Sequence, residues 1–378
     1  MAFESIDKLQ NALGEKVFHY TQDKKKAAGR ALGTIVEIIS YYILKTWGFN
    51  NSISIERGLV EYGNSDISHN VEYSLHPIIK KYEIKIAKDR NSITANKILK
   101  ELESKIDILK FDKKNNNILD KHNVLRNACT IGESNDSFLL TSFKNIGEKE
   151  YELLVFEQLK KPYAMFECKR VGVEEGNKKG PQTIEKAKQG AYVARTTSSL
   201  QKIRTDTGEK YGIIYKSNNQ PYIKPYVELM EEIIYSKDTE LLKKFILSVG
   251  VVSNHGNWFT AENHNKELKV LAQSYDWLIF LNDNGLVQFI DELLLNPTYK
   301  YIKVQEAFIR SYTANKKRNV FTKVKMDFEA DAVLLKYFSD KINEIEDWFN
   351  IIAPEQKTIM ELKNKLIELR SKNWGEIL

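Results

Sequence analysis

Glu167 and Lys169 stand two residues apart in the segment 163–171 (Tyr-Ala-Met-Phe-Glu-Cys-Lys-Arg-Val). If that segment is a strand, its period of two puts both side chains on one face and Cys168 on the other. A carboxylate beside an amine at a strand end suits phosphodiester hydrolysis. The carboxylate holds a hard divalent cation, and the ammonium orients a water or stabilises developing charge. One carboxylate holds Mg²⁺ poorly, so a second acid is required. Asp136 is the leading candidate, with Glu133, Glu148, Glu150 and Glu152 as rivals. The same residues also admit plain readings. Glu167 and Lys169 could form an ion-pair ladder on an exposed face, and Ser134-Asn135-Asp136 has the chemistry of a turn.

The elements that must position these residues are three strands over 136–143, 150–158 and 163–171. They are rich in aromatic and β-branched residues and joined by short connectors, so an antiparallel meander is expected. In it, Asp136 would start the first strand and Glu167 would lie on the third. A Gly- and Lys-rich loop spans Gly172 to Gly180, and Pro181 opens a helix running to about Leu200. Further strands are expected at 211–216 and 277–281. Upstream, Ala27, Ala31, Ile35, Ile38, Ile39 and Tyr42 recur at helical spacing over 24–46, with Gly48 as a stop. A short strand is expected within 50–62, a helix at 93–110, a polar loop at 112–123 and mainly helices after 300. A mixed sheet between helical regions gives an α/β (α+β) fold.

On these residues the chain resembles the PD-(D/E)XK nuclease superfamily, in particular type II restriction endonucleases. In that family an acid precedes a hairpin of variable length, then (D/E)-X-K on the next strand, then a helix. Here the pattern reads Asn135-Asp136, a gap, then Glu167-Cys168-Lys169, with asparagine in place of the usual proline. Gln189 and Tyr192 are similar to a glutamine and tyrosine on the following helix of some relatives, at a spacing one residue short. Glu37 is similar to an extra glutamate that many relatives place on an early helix. The resemblance implies a restriction-endonuclease-like central mixed sheet flanked by helices, with additional helical regions. It implies a catalytic set of Asp136, Glu167, Lys169 and Glu37, with Asp136 and Glu167 on Mg²⁺. It implies sequence-specific cleavage of double-stranded DNA, a homodimer matched to a palindrome, and a cognate DNA methyltransferase as companion. The alternatives are a non-catalytic DNA-binding protein on the same fold, or a structure-specific or repair nuclease.

The 378 residues carry a net charge of +6, with 42% hydrophobic and 29% charged side chains. That composition is globular rather than disordered, and the positive balance suits a polyanionic partner. Candidate DNA contacts are Lys178, Lys179, Gln189, Arg195, Arg204, Lys316, Lys317 and Arg318. Two cysteines, Cys129 and Cys168, exclude a disulfide framework and a CxxC zinc site. His69 and His76, seven apart, would bind zinc only with a third converging ligand. There is no phosphate-binding GxxxxGK[ST] loop and no GxSxG elbow. No apolar run approaches the roughly 18 residues that span a bilayer, and the first residues lack the pattern of a signal peptide. A cytoplasmic protein without membrane contact is expected. Three regions are expected: a mainly helical 1–125, a catalytic core 126–290 and a helical 291–378.

Overall fold

Residues 163–171 carry large apolar side chains on both faces of the expected strand, and in the computed structural model Ala164–Arg170 within this segment is an interior strand. The structure describes residues 6–19, 22–59, 70–88, 92–170, 192–253, 266–312 and 319–378. The strands run, in chain order, β1 (Ile53–Arg57), β2 (Val71–Leu75), β3 (Ile78–Ala87), β4 (Ile93–Thr94), β5 (Asp112–Lys113) and β6 (Asn117–Leu119). There follow β7 (Val124–Arg126), β8 (Cys129–Glu133), β9 (Ser137–Ile146), β10 (Glu150–Leu159), β11 (Ala164–Arg170) and β12 (Gln201–Arg204). The last are β13 (Lys210–Tyr215), β14 (Pro221–Pro225), β15 (Leu247–Ser253), β16 (Trp277–Leu281), β17 (Lys325–Asp327) and β18 (Phe349–Ala353). Helices and sheets are both abundant, so the fold is α+β, as expected.

The chain forms two compact units. One comprises Met1–Ile55, Ile78–Lys160 and Asn284–Ile345; the other comprises Glu56–Pro77, Lys161–Asp283 and Glu346–Leu378. This division differs from the expected boundaries at 125 and 290. The long-range pairings of β2 and β18 draw distant segments into the unit that holds β11.

The first unit contains a five-stranded sheet, β3-β10-β9-β8-β5, and a four-stranded sheet, β17-β7-β6-β4. β9 and β10 form the expected hairpin, with Val155 opposite Thr141. Core residues Ile84, Ile98, Leu102, Ile131, Leu139 and Leu153 pack the larger sheet against the helix Ala95–Leu102. That helix is shorter than the expected 93–110, and Thr94 caps it by accepting from the Lys97 N–H at 3.2 Å. The expected loop 112–123 instead contains β5 and β6. The expected helix at 24–46 is present as Lys24–Leu44, capped by Asp23, and a π-helical turn extends it to Phe49. Gly48, at φ 86°, ends it as expected. By length and composition this helix could cross a membrane, against the expectation that no run is apolar enough. Ala31, Leu32, Ile35, Ile38 and Ile39 are nevertheless fully buried in the protein. Tyr42 donates to Asp331 at 2.6 Å, tying the helix to Phe328–Asp340.

The second unit is built on the six-stranded sheet β1-β2-β11-β15-β16-β18, with β1 spanning the boundary between the units. β11 is antiparallel to β2 and parallel to β15; β15 is parallel to β16, and β18 closes the edge antiparallel to β16. Here the expected meander is corrected. β9 and β10 pair with each other, but β11 joins a different sheet. A strand buried on both faces reads as a near-continuous apolar run and seeks parallel neighbours under helices. β11 fits that description, since Met165, Phe166, Glu167 and Cys168 are all buried. β15, with all seven residues buried, escaped detection because such a run lacks alternation. A second, three-stranded sheet, β12-β13-β14, packs on the helix Tyr226–Tyr235 through Ile214, Leu229 and Ile233.

Candidate active site around Glu167 and Lys169

β11 places Glu167 and Lys169 on the same face, as their spacing requires. The Lys169 Nζ lies 3.1 Å from the Glu167 Oε2, with the Glu167 side chain fully buried and the Lys169 side chain 23% exposed. That burial removes the reading of an exposed ion-pair ladder. A carboxylate withdrawn from water is costly unless paired or placed on a cation. Its surroundings on this face are apolar: Met165 and Val252 belong to one core cluster with Val193, Ala194, Leu271, Tyr275 and Leu278. Val193 and Ala194 come from the helical residues 192–197, the described end of the helix expected after the motif.

A second buried carboxylate on this sheet is Glu72, which the sequence reading did not single out. β2 and β11 pair with Met165 opposite Ser74 and Phe166 opposite Tyr73. Continued one step past its last paired residues, that register would set Glu72 opposite Glu167. Directly opposed residues of antiparallel strands project to one side, with Cβ atoms about 5 Å apart. Glu72 is buried as well. The usable signal was the alternation Val-Glu-Tyr-Ser-Leu at 71–75. His76, just after that strand, is fully buried and shares a 2.8 Å hydrogen bond with Ser74, so it packs rather than binds metal.

The other expected site residues belong to other elements. Asp136 is exposed just before β9, in the five-stranded sheet and in the other unit. The meander that was to carry it beside Glu167 is not formed. Its backbone carbonyl accepts from the Lys160 N–H at 2.9 Å, which is turn chemistry. The rivals share that unit. Glu133 is ion-paired to Lys114 at 2.8 Å and to Lys160 at 3.3 Å; Glu150 and Glu152 both pair with Lys85; Glu148 is exposed. Glu37, also there, faces the buried Lys323 at 3.4 Å. Arg195 and Arg204 are exposed. Lys178, Lys179, Gln189, Lys316, Lys317, Arg318 and His69 lie outside the described residues, as does the loop from Gly172 to Gly180. Cys129 is buried, and burial pushes its thiol up to about 12, so it is no nucleophile.

β15 flanks β11 on the other side, and Gly250 is the direct partner of Glu167. The Tyr275 ring lies on that glycine: a Cβ built there would meet Tyr275 Cδ2 at 2.6 Å. Glycine within an apolar strand marks such a close approach. Gly250→Ala is expected to lower unfolding free energy by about 1–3 kcal/mol, the usual cost of overpacking. Urea denaturation checks this, and an unchanged midpoint would mean the ring has free space to move into.

Tyr275 is held by a buried polar cluster. Asp276, the next residue, accepts from the Ser248 N–H at 2.7 Å, from the Ser248 hydroxyl at 2.9 Å and from the Tyr226 hydroxyl. Lys202 donates to the Ala272 carbonyl at 3.0 Å and to the Tyr275 carbonyl, with its ammonium 4.5 Å from the centre of the Tyr226 ring. Burial pushes the Lys202 ammonium down to about 8, opposed by the Asp276 charge. Burial also raises the Asp276 carboxyl, opposed by Lys202 and by its hydrogen bonds.

Among the described residues, no group of three or more His, Cys, Asp or Glu side chains gathers as a metal cage. Mg²⁺ keeps several waters and commonly takes only one or two carboxylates from protein, and Glu72 and Glu167 are buried carboxylates on adjacent strands of this sheet. No family model matches the chain, and neither the curated proteins nor the solved structures contain a match to it.

Proposed function

We propose that the protein is a Mg²⁺-dependent endonuclease of the restriction type, acting on double-stranded DNA. The observation that carries the reading is the buried Glu167 in contact with Lys169 on an interior strand, with the buried Glu72 on the neighbouring antiparallel strand. The arrangement of an acid, an antiparallel partner strand bearing Glu-X-Lys, a following helix and a parallel strand supports the likeness to the PD-(D/E)XK superfamily. The insert between the two strands is here a large folded segment rather than a short hairpin. Glu72 takes the place first given to Asp136.

In this reading Glu167 and Glu72 hold the cation. When bound, Mg²⁺ supplies charge neutralisation at the scissile phosphate and a more acidic water. Lys169 keeps its ammonium beside Glu167, where it orients the attacking water and stabilises charge that develops on the phosphate oxygens. The apolar face of Met165, Val252 and Leu278 excludes bulk water and strengthens those interactions. Cleavage leaves a 3′-hydroxyl and a 5′-phosphate. A homodimer, a cognate methyltransferase and a cytoplasmic location belong to the same proposal.

The test is incubation of the full chain with plasmid DNA and Mg²⁺. Discrete fragments are expected, and chelation should abolish them. A smear would replace the restriction reading with that of a nonspecific nuclease. Intact plasmid that is nevertheless retarded on a gel would favour a binding protein on this fold, the reading favoured by the absence of a third acid near Glu167 among the described residues.

A further inference from the structure

The three-stranded sheet β12-β13-β14 has its polarity reversed. An antiparallel sheet with one face on a helix and one toward water commonly alternates apolar inward and polar outward. Here the inward face, toward the helix Tyr226–Tyr235, carries Gly212 and Ile214 together with Lys202, Tyr222 and Lys224. Gly212 makes the close approach, since an added Cβ would meet Leu229 at 3.0 Å and Leu200 at 3.1 Å, and Tyr222 and Lys224 both donate to Glu232 of the helix. The outward face is the more apolar one. Directly opposed residues project to one side, so Ile203, Tyr211 and Pro225 form one cross-strand row, and Gln201, Ile213 and Ile223 form the next. Tyr215 continues the middle strand beyond them. Ile203 is 43% exposed, Ile223 48% and Tyr215 52%. Single apolar side chains on a surface are ordinary, whereas a contiguous patch containing aromatic residues marks an interaction site.

We propose that the outward face of β12-β13-β14 is the surface through which two copies of this chain associate, sheet on sheet about a two-fold axis. Three features select that partner. No charged side chain belongs to these rows, so the face offers nothing to a phosphate backbone, which is bound through lysine and arginine. Proline stands at both ends of β14, which hinders addition of a further strand along that edge and directs association to the face. An uncharged apolar face can meet its own copy with no like charges brought together, as a self-complementary two-fold contact requires, and sheets pack face to face about 10 Å apart. Strand spacing and rise give the face about 15 by 17 Å, small beside the roughly 800 Å² a side of a standard interface. The dimer therefore forms reversibly, in the micromolar range. This gives the homodimer of the restriction reading its surface, and it rests on that reading in no other respect.

Sedimentation velocity of the full chain from roughly 1 to 100 µM, the span suited to an interface of this size, is expected to show a monomer–dimer equilibrium. Ile223→Glu sets a carboxylate against the apolar face of the second copy, and Kd is expected to rise about tenfold or more. Tyr215→Lys, in the next row, should act alike, and Ile223→Ser takes the place of Ile223→Glu if that variant does not fold. Leu109→Glu, at an exposed residue of the other unit, should leave Kd unchanged. A dimer as tight in Ile223→Glu and Tyr215→Lys as in wild type would overturn the assignment of this face. A wild type that stays monomeric across the whole range would overturn it too, and loss of DNA retardation in Ile223→Glu would then give the face to nucleic acid. Sedimentation reads the dimer whether or not plasmid is cut, so a failure of the nuclease reading shows separately.

Discussion

Lys169→Ala is expected to cut Mg²⁺-dependent plasmid cleavage by a factor on the order of 10²–10³, the usual cost of losing one group aimed at transition-state charge. DNA binding should stay within a few-fold, because one ammonium contributes little to an interface made of many phosphate contacts. Glu72→Gln should be as damaging as Glu167→Gln, since each removes one of two anionic oxygen donors on adjacent strands. Asp136→Asn should retain nearly wild-type cleavage, because Asp136 is exposed just before a strand of another sheet. Cleavage time courses on the four variants separate the cases. Loss of activity in Asp136→Asn with full activity in Glu72→Gln would reverse the choice of second carboxylate made from the β2–β11 register.

Asp276→Ala is expected to lower stability by several kcal/mol, at about 1–3 kcal/mol for each buried donor left without its acceptor. The substitution leaves the Lys202 ammonium facing only carbonyls and a ring, and it strands the Ser248 and Tyr226 donors. Denaturant unfolding at neutral pH reads the loss directly; a change below about 1 kcal/mol would mean that water replaces the carboxylate, as at an exposed pair. Lys202 adds a pH signature with a defined sign. Its ammonium loses its proton near pH 8 in the folded protein, against about 10.4 in the unfolded chain. Between those values the unfolded chain binds more protons, so this group makes stability rise with pH, at up to about 1.4 kcal/mol per unit. Lys202→Met should flatten that rise.

The local chemistry of the site was legible in the sequence, and the partners of its strand were not. Period-two spacing correctly puts Glu167 and Lys169 together, and helical spacing correctly gives Lys24–Leu44. Strands at 211–216 and 277–281 are present as β13 and β16. Pattern reports which faces of a segment are buried, however, and carries little information on which other segment buries them. Short connectors made β9, β10 and β11 look like one meander. The true neighbours of Ala164 are Leu75, 89 positions earlier, and Leu247, 83 positions later. Asp136 was chosen on that false adjacency, and Glu72 was passed over because nothing local links residue 72 to residue 167. The apolar character of both faces of β11 was the available warning, since a hairpin strand with one wet face would alternate.

The strands carrying Glu72 and Glu167 are joined by a connection that is itself folded, and this governs the order in which the site can be assembled. Within the insert, β3 begins where β10 ends, and Ile78 pairs with Gln158. Once that pair forms, the path from Leu75 to Ala164 shrinks from 89 residues to roughly ten, and the entropy of closing the β2–β11 pair falls by about 2 kcal/mol. A chain emerging from synthesis completes Ile78–Lys160 before it releases Ala164. Pairing inside the insert thus lowers the entropic cost of bringing two sequence-remote strands side by side.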